Sequence, residues 1–379
     1  MVSPAAQMSA EGLQDSAADP GIRLLAAAVR DVDPRELLLV HSGPLPGLRP
    51  GATRLILDVR ERDDAAGTTC VPASRGAAAR PLADNFAAAV VWPRAHLGKD
   101  FSEVCLALGA AALRPGGHLY CAVRKAKGGP SLARAMTELL GAVEVQERDS
   151  GYFLYVSQKP ADFDPAPARA RLALEYEIAD PLLGPVPLLA APGVFCRKHL
   201  DDGTRALLTE LEAQDLLSDR PPRQVLDLGA GIGPLGLWAT RRWPDARLLA
   251  VESNYLAAAL VSENAARLGC GHRVDVLASD GLPATGPGSG MGSVRGRIDL
   301  ALVNPPTHAD PEAFARLVAP LRQWLRPGAP AWFVVNRAGR LTQVLAQTGA
   351  ELDLTEVPGF TLVRATWPQG QANLSTKPG

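Results

Sequence analysis

Short apolar runs alternate with amphipathic stretches along this chain. Near the start, Ile22, Leu24, Leu25 and Val29 fall at helical spacing and lead into Glu36-Leu37-Leu38-Leu39-Val40, whose continuous apolar character predicts a strand. Leu55–Val59 and Ala87–Val91 read as further strands. A helix over Phe101–Leu113 ends at Arg114-Pro115-Gly116-Gly117, and His118–Val123 follows as a strand. After a helix over Ser131–Leu140, Val143–Val145 and Tyr152–Val156 form a predicted hairpin around Asp149-Ser150-Gly151.

Lys159–Pro192 is a Pro- and Ala-rich connector with a short strand near Leu172–Ile178, after which a helix spans Asp202–Gln214 and the alternation resumes. Strands are predicted at Arg223–Leu228, Arg247–Val251, Arg273–Leu277, Ile298–Val303 and Ala331–Val335. Helices are predicted at Gly233–Arg242, Tyr255–Leu268, Pro311–Leu325 and Arg340–Thr348. Ala284–Gly296 is a glycine-rich loop, and Leu352–Val357 with Thr361–Trp367 closes the series as a hairpin. Strands alternating with helices imply a mainly parallel sheet covered on both faces. The resulting domain reading is a disordered 1–20, a first α/β domain 21–158, a linker 159–192, a second α/β domain 193–368 and a loose tail 369–379.

The halves share a register. Val91-Trp92-Pro93-Arg94-Ala95-His96 matches Val303-Asn304-Pro305-Pro306-Thr307-His308, and Leu113-Arg114-Pro115-Gly116-Gly117 matches Leu325-Arg326-Pro327-Gly328-Ala329, both at an offset of 212. This suggests duplication of one α/β unit. The copies differ where chemistry would lie. The first has His41-Ser42-Gly43 where the second has Gly229-Ala230-Gly231-Ile232-Gly233, and Trp92 where the second has Asn304. A single site, in the second half, is the economical reading.

Composition narrows the picture. A net charge of −1 excludes a broadly basic nucleic-acid binder, so any RNA contact must come from local patches such as Arg124, Lys125 and Lys127. The five cysteines are scattered without metal or disulfide spacing, which implies reduced thiols and no metal. No apolar run approaches membrane-spanning length and the N-terminus lacks signal-peptide order, so a soluble, cytoplasmic protein is expected.

Two stretches carry the chemistry. The run Val225 to Gly236 is a strand, a glycine turn and a helix start with Pro234 in its first turn. Its amides are expected to be free for an anion or carboxylate. Gly231-x-Gly233-x-x-Gly236 also fits the dinucleotide fingerprint, so glycine spacing alone leaves NAD open; Asp227, two residues before the first glycine, favours S-adenosylmethionine (SAM). Glu252 ends the next strand, where a carboxylate reaches ribose hydroxyls, and Ser279, Asp280 and Asn254 are candidates for the adenine edge. The second stretch is Asn304-Pro305-Pro306. Two prolines stiffen the strand end, so the Asn304 side chain and the carbonyls of Asn304 and Pro305 become fixed acceptors suited to a planar amino group.

With Asp227, Glu252, Asp280 and Asn304-Pro305-Pro306 in this order, the second half resembles the class I SAM-dependent methyltransferases that act on amino nitrogens. Within them it is most similar to the tandem-domain guanine-N2 methyltransferases of bacterial ribosomal RNA, the RsmC/RlmG type. Pro192-Gly193-Val194-Phe195, Leu200-Asp201-Asp202-Gly203-Thr204, Asn304-Pro305-Pro306-x-His308 and Asn336-Arg337 add to the likeness, and Lys125–Gly129 resembles a segment of the family's cofactor-free N-terminal copy. The resemblance implies two tandem Rossmann-like domains, each with a mainly parallel twisted sheet and a C-terminal hairpin, of which only the second binds cofactor. It implies Asn304, Pro305 and Pro306 as catalytic residues, and Asp227, Gly229, Ala230, Gly231, Gly233, Glu252, Ser253, Asn254, Ser279, Asp280 and Asn304 as the SAM site. Phe195, Thr307, His308 and Arg337 would meet the base. The implied reaction is methylation of a guanine N2 in ribosomal RNA, 16S rather than 23S, by a monomer acting within the small subunit.

Thr307 stands where the family has a stacking aromatic, a role that could pass to Phe195, Trp332 or Phe360. His308 is read as a loop histidine or base contact rather than a general base. Other planar amines (a protein glutamine amide, an adenine N6) remain alternatives, as does a non-catalytic SAM- or RNA-binding assembly factor.

Overall fold

The computed structural model describes residues 19–63, 67–74, 85–196, 198–213, 220–283, 294–306 and 311–368. Thr307, His308, most of the Ala284–Gly296 loop, nearly all of the N-terminal tail and the stretch 369–379 lie outside the described residues. The chain divides into two compact units. The first comprises residues up to Tyr176 with Ala191–Phe195 and Asn254–Ala259, and the second the remainder.

In the first unit, helix α1 (Pro20–Ala28) precedes strands β1 (Leu37–Val40), β2 (Thr53–Ile56), β3 (Thr69–Pro72) and β4 (Phe86–Val91). Helix α2 (Lys99–Ala112) leads directly into β5 (Leu113–Arg124), followed by α3 (Gly129–Leu140), β6 (Glu144–Asp149), β7 (Tyr152–Gln158) and α4 (Ala166–Leu172). The sheet order is β3-β2-β1-β4-β5-β7-β6, parallel through β5 and antiparallel in the closing hairpin.

Three expectations change here. Arg114-Pro115-Gly116-Gly117 is no interelement loop but the irregular start of β5, where pairing jumps from Phe86↔Leu113 to Ala88↔His118. Gly116 and Gly117 rejoin the ladder through the backbone of Lys159. Strand β3 escapes sequence reading because its four residues, Thr69-Cys70-Val71-Pro72, are too short an apolar run and none is buried; at a sheet edge Pro72 removes no needed donor. In the connector the strand expected near Leu172–Ile178 is shorter, β8 (Tyr176–Ile178); Leu172 belongs instead to α4, and β8 pairs with a further strand, β9 (Leu188–Ala190).

The second unit contains α5 (Asp202–Ala213), β10 (Gln224–Leu228), α6 (Pro234–Arg242), β11 (Arg247–Glu252), α7 (Tyr255–Arg267), β12 (Val274–Ala278) and β13 (Leu300–Val303). It continues with α8 (Pro311–Val318), α9 (Leu321–Trp324), β14 (Pro330–Val335), α10 (Gly339–Gln347), β15 (Glu351–Val357) and β16 (Phe360–Thr366). The long helix expected over Pro311–Leu325 is two helices, because Pro320 cannot donate to the preceding turn. Among the described residues no helix is long and apolar enough to cross a membrane.

Its sheet runs β12-β11-β10-β13-β14-β16-β15, the same order as the first. Val91 pairs with Cys121 and Val303 with Phe333, partners displaced by the same 212 residues found in the sequence repeat. Every residue of β13 and β14 is buried, so these central strands are apolar throughout rather than alternating.

Asn264, fully buried on α7, joins the connector to the glycine turn. Its Oδ1 accepts from Leu189 N at 2.7 Å, while Nδ2 donates to the carbonyls of Leu189 and Ile232, both at 3.1 Å. Each buried group left unpaired costs about 1–3 kcal/mol. Asn264→Ala should therefore lower unfolding free energy by about 2–4 kcal/mol in urea titration; a loss below about 1 kcal/mol would show that these bonds are not needed.

Candidate active site

Strand register brings the site residues together. Leu228 pairs with Val251 on one side and Val303 on the other, while Val251 pairs with Leu277. The residues that leave these strand ends, Gly229, Glu252 and Asn304, therefore emerge side by side, with Ser279 one strand further out. Strand β10 sits where the chain order reverses, the place at which open α/β sheets leave a crevice at their carboxyl ends.

The glycine turn differs from its expected form in one respect: five of its amides have acceptors within the protein. Gly229 and Ala230 both donate to the Val251 carbonyl, at 2.9 and 3.0 Å, and Gly233 donates to Ala230 at 2.8 Å. Gly231 N donates to Glu252 Oε2 at 2.8 Å, and Gly236 N to Asp227 Oδ2 at 2.8 Å. Glu252 and Asp227 thus accept from two of the amides that were expected to be free for a ligand's anionic group. Gly229 (φ 73°) and Gly231 (φ 57°) lie in the left-handed region, and a Cβ on either would meet nothing within 4 Å. That open flank, with the half-buried Glu252 carboxylate fixed against the turn, fits an adenosyl cofactor: a polar group for ribose hydroxyls beside backbone that a ligand can approach closely.

Asp227 is buried beneath the turn and braces it through Gly236. Its Oδ1 has no hydrogen-bond partner among the described residues. Burial pushes this carboxyl up to about 7, against the lowering effect of the Gly236 bond, and the nearby Glu252 charge raises it further. Asp227 thus supports the turn from below.

Asn254 likewise has its polar atoms engaged. Oδ1 caps α7 by accepting from Leu256 N (2.9 Å) and Ala257 N (3.2 Å), and Nδ2 donates to Gly193 O at 2.9 Å. It groups with the first unit, as does Phe195, whose ring is 66% exposed. Ser253 is half-buried beside Glu252, Ser279 Oγ donates to Gly281 O, and Asp280 and Arg337 are exposed at their strand ends. Trp332 is buried within β14 and cannot stack on a base, whereas Phe360 is half-buried.

Asn304 is half-buried, Pro305 buried and Pro306 exposed. Two partners missing from the sequence-based site hold Asn304: its Nδ2 donates to Asp201 Oδ2 at 2.7 Å and to Thr204 Oγ1 at 2.9 Å. A carboxylate only accepts, so the amide nitrogen must face Asp201 and Oδ1 is left as the outward acceptor. Among the described residues none donates to that Oδ1 or to the Pro305 carbonyl. The sequence signal for Asp201 was Asp-x-Gly-Thr before an amphipathic run, an N-cap pattern, and it gave no hint of a link to residue 304.

The first unit is built differently at the matching strand ends. Arg94 pairs with Glu61 at 2.5 Å and donates through Nε to His41 O at 2.9 Å. His41 is buried against Phe101, and burial pushes its imidazole down to about 3. Trp92, at the position matching Asn304, stacks on Tyr152.

The Asp227 carboxyl makes stability pH-dependent with a definite sign. In the unfolded chain an Asp ionises near 3.9, while the folded side chain keeps its proton up to about 7. The folded state binds the extra proton in between, so this group's contribution is fully present below about 4 and is lost as pH rises through about 7. Asp227→Asn should flatten that fall in a pH series of urea unfolding; an unchanged slope would assign the proton elsewhere.

Comparison with known proteins fits this geometry. The family model for the methyltransferase small domain matches residues 185–363. Ribosomal RNA large subunit methyltransferase G of Streptomyces griseus is 38% identical over 183 residues, 46% of this chain and 44% of that protein. The chain thus spans less than half the length of that relative. Ribosomal RNA small subunit methyltransferase C of Pseudomonas entomophila is 30% identical over 267 residues, 68% of this chain and 74% of that protein. Among solved structures, the T. thermophilus 16S rRNA N2 methyltransferase RsmC, in complex with AdoMet and guanosine, superposes with a TM-score of 0.75, 25% identity and 92% coverage of both chains. The 30% identity to a relative covered over 74% of its length, with the matching family model and the superposition on RsmC, places the chain in the RsmC/RlmG family of SAM-dependent ribosomal RNA methyltransferases.

Proposed function

We propose that this chain methylates the exocyclic N2 of a guanine in ribosomal RNA, 16S rather than 23S. The observation that carries the reading is the orientation of the Asn304 amide, whose two hydrogens go to Asp201 and Thr204 and whose oxygen accepts from none of the described residues. An amino group conjugated to a purine offers two hydrogens in the base plane. Asn304 Oδ1 and the Pro305 carbonyl are two acceptors on a proline-stiffened segment, the arrangement such a group requires. S-adenosylmethionine supplies, when bound, an electrophilic methyl on a sulfonium centre. Gly229, Ala230, Gly231 and Gly233 form the floor for it, Glu252 with Ser253 takes the ribose, and Ser279 with Asp280 borders the adenine. Asp227 and Asn254 act here as supports of that floor and of α7.

Asn304 Oδ1 and the Pro305 carbonyl accept from the amino hydrogens and so stabilise the positive charge that would build on N2 as it gains the methyl; the surplus proton, acidic once the nitrogen is methylated, would pass to solvent without a general base. Positioning supplies most of the acceleration. A paired guanine must first leave its stack. Phe195, Thr307, His308 and Arg337 are the candidate contacts for it. Arg124, Lys125 and Lys127 are exposed and suited to phosphates. The shared strand order and the 212-residue register support descent of the two units from one duplicated domain, with boundaries near 21–158 and 193–368.

One observation favours a second reading. The 38% identity to large subunit methyltransferase G points to 23S RNA as acceptor. Incubation with labelled SAM and unmodified 16S or 23S RNA, followed by digestion to nucleosides, separates the two. The expected product is N2-methylguanosine from 16S RNA; label in protein or in adenosine would refute the proposal. Asn304→Ala should lower turnover by at least about a hundredfold, as for loss of a group aimed at the reacting centre, with SAM affinity in calorimetry within about twofold.

A further inference from the structure

We propose that Asp201 and Thr204 are positioning residues that decide which end of the Asn304 amide faces the target amine. The inference rests on the function proposed above and adds to it a pair of residues with no assigned role. An asparagine amide is nearly symmetric in shape, and a half-turn about its last bond exchanges oxygen for NH₂. Only one orientation can receive an amino group; the other presents hydrogens to hydrogens. Stiffening of the backbone by Pro305 and Pro306 does not restrain that half-turn, so the choice must come from side chains.

The structure provides the choice on one face of Asn304. Both amide hydrogens are satisfied, one by a carboxylate at 2.7 Å and one by a hydroxyl at 2.9 Å. Turned over, the amide would place its oxygen against Asp201 Oδ2 and leave NH₂ outward, a contact between two acceptors.

The carboxylate is itself fixed. Asp201 Oδ2 accepts from Thr204 N at 2.9 Å, and the Asp201 carbonyl accepts from Arg205 N at 2.8 Å, so the side chain sits at the start of α5, where the helix dipole favours a negative charge. Cys196 Sγ lies 3.8 Å from the other oxygen, Oδ1. The residue between them in sequence is small for a reason. A Cβ at Gly203 would stand 3.2 Å from Asp201 Oδ2 and 3.2 Å from Phe360 Cε1, so any side chain there would press on the carboxylate. Thr204 is buried, and its hydroxyl oxygen serves Asn304 while its amide serves Asp201. Asp201, Gly203, Thr204 and Asn304 thus form a closed set that ties the start of α5 to the end of β13.

Thr204→Val tests this most cleanly, since it removes the acceptor oxygen while keeping the shape and the amide that caps Asp201. Loss of one such bond to a polarised group corresponds to about a 10- to 100-fold fall in kcat. KM for RNA and affinity for SAM should stay within about twofold, and Thr204→Ser should recover turnover to within about threefold of the parent. Asp201→Ala should fall at least as far as Thr204→Val.

A second measurement does not depend on the substrate. In a ¹⁵N-labelled, deuterated sample, the Asn304 side-chain NH₂ pair is identified by its disappearance in Asn304→Ala. Its hydrogens should exchange with water at least about tenfold faster in Thr204→Val and Asp201→Ala than in the parent. Unchanged exchange overturns the lock. Faster exchange with unchanged kcat overturns its catalytic role, and equal losses in Thr204→Ser and Thr204→Val reduce Thr204 to a packing residue. If the parent chain methylates no RNA, the functional reading falls instead, and the exchange data still decide whether the lock exists.

Discussion

One side-chain amide, held by a carboxylate and a hydroxyl, constrains three elements of the second unit. Asn304 ends β13, Asp201 starts α5, and Thr204 turns the first coil of that helix back onto the strand end. None of these bonds is strong by itself. Together they exclude the flipped amide, because the alternative sets oxygen against carboxylate in a partly buried site where water screens little. The proline pair fixes the backbone beneath and the side-chain pair fixes the amide above. A strand end becomes a directional acceptor only when both are present.

The cofactor side of the cleft follows the same logic of internal satisfaction. The amides of Gly229, Ala230, Gly231, Gly233 and Gly236 are answered by the protein's own carbonyls or by Asp227 and Glu252. The turn is therefore preorganised by the chain itself, with open space along Gly229 and Gly231 and the Glu252 carboxylate held beside it. Asp227 is buried with one oxygen unmatched among the described residues, so it is far easier to keep neutral than an ordinary carboxyl. In the first unit the corresponding strand ends are occupied by the Arg94–Glu61 pair and the buried His41, with Trp92 turned to stacking on Tyr152.

The central strands were legible because burial on both faces leaves continuous apolar runs, as in Leu300–Val303 and Ala331–Val335. Strand β3 was not, since a short edge strand needs little burial and Thr69–Pro72 carries no such run. The break between α8 and α9 was in plain view as Pro320, but the apolar periodicity on either side hid it. At the site, Asp227, Glu252 and Asn304 could be found because each ends a recognisable strand. Asp201 and Thr204 could not, because their partner lies about a hundred residues away and only the folded sheet brings the start of α5 beside β13. The amides of the glycine turn were misjudged for a related reason: spacing shows where donors lie and not which of them the protein has already used.

In the function proposed, Asn304 presents oxygen, and only oxygen, to an amino group. The most direct test is a crystal structure of the full chain with S-adenosylhomocysteine and guanosine. Guanine N2 is expected within hydrogen-bond distance of both Asn304 Oδ1 and the Pro305 carbonyl, with Nδ2 still on Asp201 and Thr204. A guanine bound with Nδ2 turned toward it, or an amide released from Asp201, would contradict the proposal.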